Sequence, residues 1–224
     1  MGNKFIFADS KEGFDNHIND SIPGYDVLLR QTTILANHWL NDDSRKVIDI
    51  GGSTGKLLNE VQKLSEIEIQ DKFINIDPTE FKDRVDNKYV SFKNTGAYEY
   101  VSKLDETDEI QIAFSLFTLQ FLSPNCRRDV IQAVTNKLSD RGAFFISEKF
   151  YLEDSEYQEL YSVVLREMKR NNFSDSSILD KDYKLLKHLK LKKETEFLEE
   201  MNSYGYKCNK YWQSLHFNAF ICTK

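Results

Sequence analysis

Residues 46–55 constrain the fold of this chain more than any other stretch. Lys46–Ile50 is a β-branched run with one acid, Asp49, and it passes directly into Gly51-Gly52-Ser53-Thr54-Gly55. From Lys56 to about Ser65, Leu57, Leu58, Val61 and Leu64 then recur on one helical face. A strand that enters a helix through a Gly-rich turn is the opening unit of a parallel α/β sheet. Such turns bring bare backbone up to a small ligand. Spacing separates the ligand classes. A triphosphate loop needs G-x-x-x-x-G-K-[ST], but Ile50 stands at the first Gly position and Leu57 follows Gly55-Lys56. Lys56 is therefore read as a solvated first-turn residue. The dinucleotide pattern G-x-G-x-x-G is also absent.

The rest of the chain continues the alternation. The segment to about Asp43 reads as helical, broken at Ser21–Tyr25 by Pro23-Gly24, with Phe5 and Phe7 in a short extended lead-in. Strands are expected at Lys72–Asp77, stopped by Pro78, and at Tyr89–Phe92 and Glu109–Phe114. Pro124 opens a helix to about Leu138, and Asp140-Arg141-Gly142 turns the chain into a strand at Ala143–Ser147. A long helical region follows over about Asp154–Leu191, then a helix from about Glu194 to Tyr204 capped by Gly205. Strands at about Lys207–Trp212 and Leu215–Cys222 close the chain. This order predicts one domain over 1–224, with a helical lead-in at 1–43 and a helical insertion at 151–193.

Composition narrows the function classes. The formal net charge of −6 over 224 residues disfavours a dedicated nucleic-acid binder. No stretch approaches the roughly 20 apolar residues that span a bilayer. Gly2 suggests myristoylation, but Ile6 stands where that motif needs Ser or Thr. Cys126, Cys208 and Cys222 are scattered, so isolated thiols and a reducing, cytoplasmic setting are expected. His17, His38, His188 and His216 form no cluster, and no metal site is expected. His216 is read as packing or surface. Tyr183–Lys193 is locally basic and reads first as an amphipathic helix with a solvated Lys face.

Asp49–Gly55 fits Asp-x-Gly-x-(Gly/Ser)-x-Gly, which resembles motif I of the class I methyltransferases. That resemblance implies S-adenosylmethionine, or its product S-adenosylhomocysteine, as the ligand. The chemistry agrees. The methionine ammonium and the sulfonium are cationic, so Asp49 at the strand end supplies matching charge. Asp77 ends the second strand, where a carboxylate can accept both ribose hydroxyls.

The segments Phe117–Arg128 and Leu138–Phe150 resemble the carboxy-S-adenosylmethionine synthase family, with its T-L-Q-F-L and S-E-K-F motifs. Ser21–Tyr25 looks like the family's S-V-P-G-Y, and Met168–Arg170 and Trp212-Gln213 also align. The family makes carboxy-S-adenosylmethionine from S-adenosylmethionine and prephenate, for transfer-RNA wobble-uridine modification. The resemblance implies a Rossmann-like class I fold with a seven-stranded, mostly parallel sheet, an antiparallel last strand and a helical cap. It also implies a homodimer. By position, Tyr25, Gly51, Gly52, Ser53, Asp77 and Pro78 would contact the cofactor, together with Asp49 and Gly55 from the turn. The family's adenine-contacting acid falls near Asn94 or Thr95. A family Asn falls on Leu116, leaving Ser115 as the nearest polar residue. A family Arg that pairs with the extra carboxylate falls on Glu200, which would repel it; Arg166 and Arg170 are possible substitutes. Plain methyl transfer to a small molecule or RNA is therefore the first expectation. Carboxy-S-adenosylmethionine synthesis or use is the second, and a non-catalytic binding module the third. No membrane partner is expected. Glu148, at a strand end, is read as a structural hydrogen-bonding group or a substrate-side base.

Overall fold

The computed structural model describes residues 13–41 and 43–224. The expected lead-in at Phe5 and Phe7 and the failed Gly2–Ile6 motif lie outside the described residues. Helices α1 (Phe14–Ser21) and α2 (Tyr25–Asn37) flank the Pro23-Gly24 turn. Strands β1 (Lys46–Ile50), β2 (Phe73–Ile76), β3 (Val90–Lys93) and β4 (Ile110–Leu116) pair in parallel. Helices α3 (Lys56–Ser65) and α4 (Ala97–Val101) lie between them in the chain. Then come α5 (Pro124–Lys137), β5 (Leu138–Tyr151), α6 (Ser155–Lys169), α7 (Asp175–His188), β6 (Lys192–Lys193), α8 (Glu194–Ser203), β7 (Lys207–Ser214) and β8 (Phe217–Thr223). The sheet order is β3-β2-β1-β4-β5-β8-β7, and β8 is antiparallel to both neighbours.

Period-two alternation splits the strand side chains between two cores. Val47, Phe73, Ile112, Phe114 and Phe145 face α2 and α3 through Leu29, Ala36, Leu57, Leu58 and Val61. Ile48, Ile50, Ile74, Ile76 and Ile146 face the other way, onto Val101, Val130, Ile131, Val134, Phe197 and Met201 of α4, α5 and α8. A third cluster joins the cap to the sheet end through Ile22, Leu28, Phe117, Leu165, Trp212 and Phe217.

Several expectations change. The sheet has eight strands, because Lys192-Lys193 adds a two-residue strand beside Phe150-Tyr151. Asp140-Arg141-Gly142 is not a free turn. It is a register shift inside β5, which starts directly after α5. Gly142 makes this possible, since a Cβ there would sit 2.7 Å from the Leu138 side chain. The helical region expected over Asp154–Leu191 consists of two helices, because the Ser174 side chain accepts from Ser177 N–H and starts α7 afresh. α4 was not foreseen. The isolated-thiol expectation also fails. The β7–β8 register sets Cys208 opposite Cys222, and the two are joined in a disulfide, while Cys126 is free and exposed. Pairing across a hairpin depends on register, which cysteine spacing alone does not reveal.

Candidate cofactor site

The turn after β1 is built so that backbone, not side chain, faces the open end of the sheet. Gly51 has φ +72° and donates its N–H to Ile76 C=O at 2.7 Å. A Cβ there would lie 2.3 Å from Thr118 Oγ1. A Cβ on Gly52 would lie 1.9 Å from Asn75 Oδ1 and 2.7 Å from Asp49 Oδ2. Gly55 takes φ +81° as the N-cap of α3, against the Phe92 ring. Both the local conformation and the close neighbours therefore demand glycine.

Asp49 is 3% exposed and has no cationic partner among the described residues. Burial, and then the charge of Asp77, push its carboxyl up to about 7. Asp77 sits across the turn. Its Oδ2 accepts from Ser53 N–H at 3.2 Å and its Oδ1 from Thr79 N–H at 2.8 Å. Burial pushes Asp77 upward as well, against those two hydrogen bonds. A buried and a half-buried carboxylate flanking a Gly-rich turn, with no cation beside them among the described residues, form a receptor for a cationic ligand. The orphaned Asn75 Oδ1 beside Gly52 adds an unused acceptor.

Other expected residues fall into place unevenly. Tyr25 opens α2, its ring centroid 6.3 Å from that of Phe117. Burial, then Asp49 and Asp15, raise its phenol well above the ordinary value. Pro78, Asn94 and Thr95 stand at the exits of β2 and β3, on the same sheet edge. Asn94 is exposed, and Thr95 Oγ1 donates to Glu99 at 2.9 Å. Ser115 follows Phe114, which pairs with Asp49, so its backbone lies beside the end of β1. Strand alternation puts it with Ala113 on the α5 face, wholly buried and with its hydroxyl unpartnered. Thr118, Asn75 and Asp15 were not anticipated. Thr54, buried in the turn, donates to Asp15 Oδ1 at 2.9 Å, which fastens α1 over the site. A polar Asn in the apolar strand Phe73–Ile76 was the one signal available in sequence.

No family model matches the chain. The carboxy-S-adenosyl-L-methionine synthase of Idiomarina loihiensis is 26% identical over 219 residues, covering 95% of this chain and 90% of the relative. An O-methyltransferase family protein from Burkholderia thailandensis superposes with a TM-score of 0.57 at 15% identity, over 89% of this chain. This chain spans 57% of that protein's length. The DhpI-SAM-HEP complex superposes with a TM-score of 0.55 at 10% identity, covering 94% of this chain and 92% of that one. The chain has the class I methyltransferase fold and is similar to the carboxy-S-adenosylmethionine synthases. The mostly parallel sheet, with its antiparallel strand last in sequence, is what the resemblance implied.

Within this fold, Glu200 does not present a bare charge to the site. Arg127 Nε and Nη2 donate to it at 2.8–3.1 Å, and Lys192 Nζ lies 2.8 Å away. Burial pushes the Glu200 carboxyl up, but the Arg127 and Lys192 interactions outweigh it and hold the group below its ordinary value. Arg127 also pairs with Glu148, which is 1% exposed. Glu148 is thus a structural partner rather than a base at a strand end, because β5 runs on to Tyr151. The repulsion argued from Glu200 is overturned, since its charge is matched within the chain. Arg166 pairs with Asp182, and Arg170 with Glu167 and Asp175. His216 is buried and packs against Gln158 and Tyr161. Among the described residues no group of three or more His, Cys, Asp or Glu could hold a metal ion. Among the described residues no helix is long and apolar enough to cross a membrane.

Proposed function

We propose that the chain binds S-adenosylmethionine at the Gly51–Gly55 turn and transfers its methyl group to an acceptor. Asp49 carries this reading: a buried carboxylate without a cation among the described residues, set beside a turn whose glycines leave no room for a Cβ. Bound there, S-adenosylmethionine supplies a methyl group on a positively charged sulfur, open to attack by a nucleophile. The residues present fit that ligand. Asp49 and the orphan Asn75 Oδ1 face an ammonium or hydroxyl, Asp77 faces the ribose, and Tyr25 covers the turn from α2. Asn94 or Thr95 borders the adenine. The chain's own contribution is orientation and exclusion of water, and no residue takes the role of general base.

A second reading, carboxy-S-adenosylmethionine synthesis, is favoured by the similarity to such synthases across 95% of the chain. The Glu200 ion pairs remove the main objection to it. Native mass spectrometry followed by denaturing release separates the readings. Release of S-adenosylmethionine or S-adenosylhomocysteine supports methyl transfer, and release of the carboxylated cofactor supports the second. No ligand, with no thermal shift on adding S-adenosylmethionine, rejects both.

The same resemblance leads us to treat residues 1–224 as one domain that works as a cytoplasmic homodimer. The cytoplasmic part no longer rests on the cysteines, because Cys208 and Cys222 are joined. Light scattering and cell fractionation test the two parts.

A further inference from the structure

Beneath the cap lies a group of cations with too few counter-charges. Lys149 projects from β5 on the same face as Ser147, and its Nζ has no hydrogen bond or ion pair among the described residues. Its one neighbour of note is the Phe217 ring, 5.8 Å from Nζ. Lys169 of α6, 7% exposed, reaches only a long contact of 3.7 Å to Asp182 Oδ1. Asp182 is already shared with Arg166 at 3.2 Å. Lys181 of α7 donates to His17 Nε2 at 2.6 Å and Ser21 Oγ at 2.7 Å, both neutral acceptors. Lys149 over Phe217, and Leu165 one turn before Lys169, belong to one packed region, whose charged and titratable groups are Lys149, Arg166, Lys169, Lys181, His17 and His216, against Asp182 and, beside His17, Asp20.

Half-buried ammonium groups that face one another are destabilising unless something negative joins them. Burial, then mutual repulsion, push Lys149 down, and burial, then Lys169, push Lys181 down to about 8. Two buried polar atoms, Ser147 Oγ and His216 Nδ1, are also without partners. Phe217 stacks on Phe117, and Phe117 lies against Tyr25, so an aromatic row links this space to the cofactor turn.

We propose that Lys149 and Lys169, beneath α6 and α7, form a binding site for the carboxylate or phosphate group of a small ligand. The proposal stands whether or not the cofactor reading does. Its source is either a second ligand bound together with the cofactor or a free anion.

The test is calorimetry and thermal shift with phosphate and with malonate, against chloride at equal ionic strength. Saturable binding is expected, weakened about tenfold or more in K149Q but retained in K149R. The exposed, unpaired Lys184 gives the control K184Q, which should leave anion binding unchanged. K149Q removes an unpaired ammonium, so its melting temperature without anion should not fall. Tighter anion binding in the presence of S-adenosylmethionine assigns the site to a co-bound ligand, and equal binding assigns it to a free anion. Responses no larger than those to chloride, or equal responses in wild type and K149Q, overturn the proposal.

Discussion

Asp77 Oδ2 accepts the backbone N–H of Ser53 at 3.2 Å, which ties the end of β2 to the Gly-rich turn after β1. The carboxylate proposed to meet the ribose therefore also shapes the turn. Asp77→Ala should weaken S-adenosylmethionine binding by about 1–3 kcal/mol through lost hydrogen bonds. It should also lower the melting temperature, because Ser53 and Thr79 N–H lose their acceptor. Isothermal titration checks the first effect, and an unchanged Kd would remove the ribose assignment.

Asp49 makes both stability and binding depend on pH. Its folded value, about 7, lies above the 3.8 of an ordinary Asp carboxyl. The folded, ligand-free chain thus keeps a proton that the unfolded chain has lost. The stability this contributes is fully present below pH 3.8 and is lost as pH rises through about 7. A cationic ligand needs the ionised form, so its binding runs the opposite way. Below pH 7, affinity should fall by up to about tenfold per pH unit, with proton release on binding. Titrations in buffers of different ionisation enthalpy measure that release, and Asp49→Asn should abolish it.

Gly52→Ala places a Cβ 1.9 Å from Asn75 Oδ1 and 2.7 Å from Asp49 Oδ2. Both neighbours are buried and fixed by strand backbone, so they cannot give way. Urea unfolding should show a loss of about 1–3 kcal/mol. Cofactor binding should fall with it.

Arg127 bridges Glu148 and Glu200, joining α5, β5 and α8, and Lys192 supplies the second positive charge. Arg127→Ala leaves Glu148 charged and enclosed, at a loss of about 3–5 kcal/mol. Removing both ends of the buried pair, as Arg127→Met with Glu148→Leu, should recover much of that loss. Denaturant midpoints of the single and double variants decide it, and additive losses would mean that the pair is not coupled.

Much of this protein is legible in its sequence, and the reason is local. The strand at Lys46–Ile50, the helix at Lys56–Ser65, the Pro124 helix start and the Gly205 cap each depend on residues within a few positions of one another. Backbone propensity and period suffice there. The turn glycines and the acids at the ends of β1 and β2 are likewise local features, so the shape of the turn could be read before the fold was known.

What only the tertiary structure decided are contacts between distant segments. Cys208 and Cys222 pair because β7 and β8 take one register among those a hairpin allows. Alternation along β4 buries the Ser115 hydroxyl without a partner among the described residues, which the sequence alone does not reveal. Thr118 crowds Gly51, and Asp15 reaches Thr54 from a helix 39 residues away. Glu200 lost its expected role for the same reason. A charge in sequence has no sign of action until its partners are known, and Arg127 and Lys192 reach Glu200 only once α5, β6 and α8 are packed.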